Sequence, residues 1–335
     1  MGFTHFLGTD ISKAKLDFSL FDGECILQSA ECTNDYKSLK AFLERLIKQQ
    51  NLSKDHLIIC AEYTGRYGHH LMQVAAELGL NLWLENPATV KWSSGVQRGK
   101  NDKVDAERLA VYAYRFIDRA RLFNPDNEVI VELKQLNAER ELLVADRAKF
   151  TGQLSDQAKF TAKQIFKSKA KRLKNLITVL SSSIQEIERQ IEKLISGNEE
   201  YKHQFDQITS IKGVGTQLAV CMIASTHGFE KFINPRAYCC HAGVAPFAYT
   251  SGSSIRSRWK VSHRANKRIK SLLHMAALSA IRHNQDMKHY YERKVEEGKS
   301  KMTVINAVRA KLVHRIFAII RDNRKYEESY SILLA

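Results

Sequence analysis

Four carboxylates in the first third of the chain stand where chemistry on a phosphate can be done. Asp10 ends the run Phe6-Leu7-Gly8-Thr9-Asp10, and Glu62 ends Ile58-Ile59-Cys60-Ala61-Glu62, so each sits where an apolar extended run gives way to a loop. Asp102 and Asp105 are three residues apart at the start of a helical pattern and therefore share one helix face. Brought together, four such groups repel one another unless divalent cations neutralise them. Their hard oxygens suit Mg²⁺ or Mn²⁺, and two such ions about 3.5–4 Å apart can clamp the attacking and leaving oxygens of a phosphoryl transfer. Taken singly, an acid at a helix start such as Asp102 is a cap or a dipole partner. Only the joint placement makes a site.

The elements that must position these acids follow from hydrophobic patterning. Residues 4–33 read as three extended runs, HFLGTDI, KLDFSLF and CILQSAEC, separated by a lysine-rich bend and by the turn Asp22-Gly23. A helix is expected over 35–49, a strand at 57–61, a helix over 66–79 and a strand at 82–84 ending at Asn86-Pro87. After a polar stretch at 94–101, a helix runs from Asp102 to about Phe116. The order βββαβαβα is that of the ribonuclease-H-like fold, whose mixed sheet sets the strands ending in Asp10 and Glu62 side by side. Gly8-Thr9-Asp10-Ile11-Ser12-Lys13 also resembles the first phosphate loop of the sugar-kinase and actin-like ATPases, but these need a second such domain and a Gly-rich adenosine site, and basic helices occupy that place instead.

Residues 131–196 are almost free of Gly and Pro and rich in Lys, Gln, Glu and Leu. Leu173, Ile177, Leu180, Ile184, Ile187, Ile191 and Leu194 form a coiled-coil seam of alternating four- and three-residue steps, with a partial seam at Leu133, Leu136, Leu143, Phe150 and Leu154. Two long helices folded back on each other, or pairing with another protomer, would bury it, and a homo-oligomer is expected. From about 205 a mostly helical domain begins. Ile208 to Gly215 followed by the apolar stretch 218–223 has the form of a helix-hairpin-helix, in which Lys212, Gly213 and Gly215 would let backbone N–H groups approach a phosphate at a helix N-terminus. No Asp or Glu occurs from Lys231 to Gln285, and Arg256, Arg258, Lys260, Arg264, Lys267, Arg268 and Lys270 crowd into fifteen of those residues. Such a window calls for an anionic partner.

The division of charge agrees. The 335 residues carry a formal net charge of +16, yet residues 1–150 hold 20 basic and 21 acidic side chains, so the excess lies beyond them. A near-neutral first domain joined to a basic part that meets nucleic acid is the simple reading. No apolar run approaches the roughly 20 residues of a membrane span, the start of the chain lacks a secretory pattern, and six cysteines are too sparse for a disulfide scaffold, so a cytoplasmic protein with no membrane partner is expected.

The segments GTDISKAKLD (8–17), AEYTGRY (61–67), NP (86–87), NDKVDA (101–106), GVG (213–215) and YTSGSSIR (249–256) together resemble family one-hundred-ten of the bacterial insertion-sequence transposases, which includes the pilin-gene invertases. The resemblance covers nearly the whole chain and implies a RuvC-like DEDD domain at 1–130, a helical coiled-coil arm at 131–200 and a mostly helical transposase domain at 201–335. It implies Asp10, Glu62, Asp102 and Asp105 as Mg²⁺ ligands, and Ser251 as the nucleophile that forms a phosphoserine link to DNA. It further implies a structured bridge RNA that guides the enzyme to double-stranded DNA, dimerisation through the arm, and a tetramer in the synaptic complex. Gly252 beside Ser251 allows close approach, and Arg256 and Arg258 are suited to the non-bridging phosphate oxygens. The residues alone do not choose among Ser251, Ser253 and Ser254. Nor do they choose between a mobile-element transposase and a dedicated invertase, or decide whether one protomer's serine serves another's carboxylates. A metal-dependent junction-resolving nuclease that uses water would need the acids and be indifferent to Ser251, and a non-catalytic nucleic-acid-binding protein would need neither.

Overall fold

The first three extended runs become strands β1 (His5–Ile11), β2 (Lys15–Phe21) and β3 (Ile26–Thr33), an antiparallel meander. The structure is a computed structural model, and it describes residues 2–93, 101–125, 127–232, 234–251, 255–261 and 265–327, with the backbone alone at 247–251 and 255–260. Helix α1 (Tyr36–Gln49) starts at Asp35, whose carboxylate accepts from Ser38 N at 2.9 Å. It leads to β4 (Leu57–Glu62), then α2 (His69–Leu78), closed by Gly79 in the left-handed conformation, then β5 (Asn81–Glu85). A short helix not expected from the sequence, α3 (Pro87–Ser93), precedes α4 (Asp102–Arg115).

The strands form one sheet in the order β3-β2-β1-β4-β5, with β1, β4 and β5 parallel. This is the mixed sheet that the ribonuclease-H-like order requires. Side chains alternate between its faces. Leu7, Ile11, Leu16, Phe18, Leu57 and Ile59 pack with Leu39, Leu43, Leu71 and Val74 of α1 and α2, where Phe18 stacks on Phe42 at 4.6 Å between centroids. Phe6, Phe21, Ile58, Cys60 and Trp83 pack with Leu109, Ala110, Tyr112 and Ala113 of α4. Each large apolar side chain buried this way contributes about 1.5–3 kcal/mol, so the sheet is held from both sides and its strand ends are rigid supports.

Residues 1–125 form one compact unit and 126–335 a second. The second unit begins with α5 (Glu128–Phe160) and α6 (Lys163–Ser196), two long helices joined by two residues. Arg140 meets Glu188, Arg147 meets Ser181 and Lys169 meets Gln157, so the helices run antiparallel. Of the expected seam, Leu173, Ile184, Ile187 and Ile191 are buried and Ile177, Leu180 and Leu194 half-buried. Ile130, Leu133 and Leu136 of α5 and Ile187, Ile191 and Ile195 of α6 share one core with the helices that follow, so the base of the arm packs as part of the C-terminal unit.

Those helices are α7 (Glu199–Thr209), α8 (Thr216–Thr226), α9 (Pro235–His241), α10 (Lys267–His283), α11 (Gln285–Glu296) and α12 (Lys301–Arg321). At the centre, Leu218 to Ala224 of α8 are all buried, consistent with its lack of an amphipathic pattern. A hairpin of β6 (Pro246–Ser251) and β7 (Ile255–Val261), which the sequence reading did not anticipate, lies between α9 and α10. Among the described residues no helix is long and apolar enough to cross a membrane.

Candidate active site

The sheet register decides which carboxylates meet. Asp10 of β1 pairs with Asp17 of β2, Asp17 pairs with Glu31 of β3, and Glu62 of β4 pairs with Glu85 of β5. Gly8 lies opposite Cys60 and Thr9 opposite Ala61, so the same register continued by one residue sets Glu62 beside Asp10. All five acids fall on the sheet face that carries Phe6, Ile58, Cys60 and Trp83, beneath α4. An acidic row therefore crosses the strand ends, in which Asp17, Glu31 and Glu85 join the Asp10 and Glu62 expected from the sequence.

The outer members are already compensated. The Lys15 ammonium donates to Asp17 Oδ1 at 3.1 Å and to Glu31 Oε2 at 3.0 Å. The Tyr112 hydroxyl donates to Glu85 Oε2 at 3.1 Å and the Asn86 N–H donates to its Oε1 at 2.6 Å. Burial and then Glu85 push the Tyr112 phenol above its ordinary range. Asp17 is buried and its Oδ2 has no hydrogen-bond partner.

Helix α4 brings the other two acids. Its cap is Asn101, whose side chain accepts from Lys103 N at 3.2 Å, so neither Asp102 nor Asp105 is needed for capping. Both are half-buried in the first turn, and Asp105 is paired with Arg108 at 2.8 Å. The Asp10 carboxyl is pushed above the usual carboxylate range, first by burial and then by the negative charges of Asp102, Asp105 and Asp17. That is the electrostatic signature of acids converging without enough positive charge among them. The donor set is all hard oxygen and fits a divalent cation, although among the described residues no three His, Cys, Asp or Glu stand in ligating distance of one point. Gly8 permits the convergence: a Cβ there would lie 3.0 Å from Ala110 Cα and closer still to Ala106 O and Ala110 N. Strand and helix touch backbone to backbone.

In the second unit, Ser251 is the last residue of β6, paired with Ile255, and Thr250 pairs with Arg256. The side chains of Ser251, Arg256, Arg258 and Lys260 are outside the described residues, as are Ser253, Ser254 and Arg264 altogether. Lys212 and Lys267 are exposed and Lys270 is half-buried. Arg268 is ion-paired with Glu141 of α5 at 2.7 Å, so its charge already has a partner within the protein. Of the two hairpin glycines, Gly213 has a φ of +98° and the space a side chain would need is filled by the backbone of Ala280, whereas Gly215 faces open space at the start of α8. Gly213 serves packing between α10 and the turn that joins α7 to α8.

Residues 7–162 match a profile described as a transposase of the IS110 DEDD type, and residues 206–292 match that of the Transposase IS116/IS110/IS902 family. The chain is 26% identical over 335 residues to the pilin gene-inverting protein of Moraxella bovis, an alignment covering 96% of this chain and 98% of that protein. The pilin gene-inverting protein of Moraxella lacunata is similar to the same extent. Among solved structures, T. thermophilus RuvC in complex with a Holliday junction substrate aligns with 36% of this chain and 99% of its own, at 11% identity and a TM-score of 0.28. With two profiles of one family matching residues 7–162 and 206–292, and relatives aligned over nearly their whole length, the chain belongs to the IS110 family of transposases and is a DNA recombinase.

Proposed function

We propose that this transposase cuts and rejoins DNA with a RuvC-like carboxylate site, Asp10, Glu62, Asp102 and Asp105, that holds Mg²⁺ or Mn²⁺, and with Ser251 as nucleophile. The observation that carries the metal site is the Asp10 carboxyl, held high by burial and by Asp102 and Asp105. A cation held by these oxygens would neutralise them and polarise a phosphate oxygen. The Ser251 reading is supported by its place at the end of β6, one residue from the Thr250–Arg256 pair, in a segment of the family's form. In the step proposed, the Ser251 Oγ–P bond forms as the phosphodiester P–O bond to the departing strand breaks. The serine proton leaves to solvent and the departing oxygen takes one up. The seryl-DNA phosphodiester keeps the bond energy, so a second strand's hydroxyl can reverse the step and complete the exchange without a nucleotide cofactor. Arg256 and Arg258 are assigned to the non-bridging oxygens.

Target choice is assigned to a structured guide RNA, because base pairing can specify a sequence that no protein side chain reads. A dimer through the α5–α6 arm, and a tetramer at synapsis, are part of the same reading. Ile165, Leu176 and Val179, exposed by 72%, 46% and 63%, offer an apolar outer stripe on α6 for a second arm. Ser251→Ala tests the chemistry: denaturant-resistant protein–DNA adducts should disappear while DNA binding persists. Adducts that persist in this variant, or vanish instead with Ser253→Ala or Ser254→Ala, would overturn the assignment. Sequencing the nucleic acid that co-purifies with the protein tests the guide.

A further inference from the structure

The far end of the helical arm carries a second charged surface. From Gln157 to Gln185 there is no Asp or Glu, and seven basic residues fall between Lys159 and Lys174. Lys163, Lys167, Lys171 and Lys174 recur at steps of four, four and three, so they form one stripe along α6, about 16 Å long at 1.5 Å per residue. All four are exposed. Among the described residues none of them is in an ion pair, whereas Arg140 nearer the base is paired with Glu188 at 2.6 Å. The stripe lies to one side of the buried seam, and the apolar stripe of Ile165, Leu176 and Val179 lies to the other, so the two do not compete.

Four lysines on one helix face with no ion-pair partner among the described residues repel one another, which costs stability unless an anionic partner relieves it. The last arm residue packed on the C-terminal core from α5 is Leu143, seventeen residues before Phe160. The tip therefore stands about 26 Å out along the arm, the axial length of roughly eight base pairs. Lysines at such a place suit phosphate oxygens as point charges and read no base.

We propose that the lysine stripe Lys163–Lys174 at the arm's tip is a second DNA-binding surface, which grips the backbone of duplex DNA independently of its sequence. The choice of DNA rests on membership of the recombinase family and on none of the proposed chemistry.

The test is equilibrium binding of the full-length protein to a duplex DNA of arbitrary sequence, followed by fluorescence anisotropy over a salt series. In the variant Lys163→Gln/Lys167→Gln/Lys171→Gln/Lys174→Gln, the slope of log affinity against log salt should become shallower by about 3–4, near 0.9 per lost phosphate contact. Affinity at about 0.1 M salt should fall at least tenfold. The four positions are exposed and unpaired, so the melting temperature should be unchanged. The control Lys37→Gln/Lys48→Gln on α1 should leave the DNA slope as it is. An unchanged DNA slope in the quadruple variant, or an equal loss in the control, would overturn the proposal. No strand is cut in this measurement, so a failed Ser251 assignment leaves it intact.

Discussion

Gly8 on β1 and Ala106 on α4 approach so closely that no side chain fits between them: a Cβ on Gly8 would overlap the Ala106 carbonyl oxygen. Two residues further along β1 stands Asp10, and one residue before Ala106 stands Asp105. The spacing of the acids is thus set by a backbone contact.

Gly8→Ala should therefore act at two levels. Forcing a methyl group into this contact costs about 1–3 kcal/mol of stability and moves the start of α4 away from β1. Urea unfolding should show the loss, and metal-dependent strand cutting by the protein that remains folded should need more cation. Gly152→Ala, on α5 with nothing within 4 Å, should instead stabilise by about 0.5–1 kcal/mol.

The two glycines of the 213–215 turn should part company. Gly213→Ala meets both a φ of +98° and the Ala280 backbone, and should destabilise by about 2–5 kcal/mol. Gly215→Ala has open space around it and should cost under about 1 kcal/mol. Denaturant midpoints of the two variants measure the difference directly. Equal effects would mean that Gly213 is not packed against α10.

Asp102→Asn keeps the shape of the side chain and removes its charge. Metal-dependent strand cutting should fall by at least a hundredfold, on the scale of losing one directing group of a catalytic site. Asp118→Asn, with an exposed side chain, should change nothing. Chelation by EDTA should mimic Asp102→Asn, and activity that survives both would sink the metal assignment.

In the second unit, Arg309 is buried on α12 and its Nη2 donates to His274 Nδ1 at 2.5 Å. Burial, and then the Arg309 charge, hold the His274 imidazole below its ordinary value of 6.5. Its neutral form is favoured by folding, so its contribution to stability is complete above 6.5. As pH falls below 6.5 the unfolded chain takes up the proton first and stability is lost. Urea midpoints should drop between pH 7.5 and 5.5, and His274→Gln, which removes the titrating group, should lessen that drop.

Much of the fold was legible because its local signals agree with its tertiary demands. The apolar runs ending in Asp10 and Glu62 became β1 and β4, and the seam around Leu173 to Ile191 became α6 packed on α5. The β6–β7 hairpin was missed because the run around Ser251 is polar and basic, without the apolar alternation that marks a half-buried strand. Asp17 was passed over because a single acid inside an apolar strand gives no signal by itself. The packing of Gly213 on Ala280 was not legible for a similar reason: a glycine's freedom is visible in sequence, but what fills the space beside it is not.

The sequence by itself determined which residue types end the strands and where charge gathers along the chain, and its motif segments carried the resemblance to the family. Only the tertiary structure decided that Asp10 has Asp17 across from it, that Lys15 and Tyr112 hold the outer acids of the row, and that Arg268 is paired with Glu141. The physical reason is range. Periodicity, capping and composition are properties of neighbouring residues, whereas strand register and charge pairing join residues up to more than a hundred positions apart, and their energies depend on distances that no local pattern encodes.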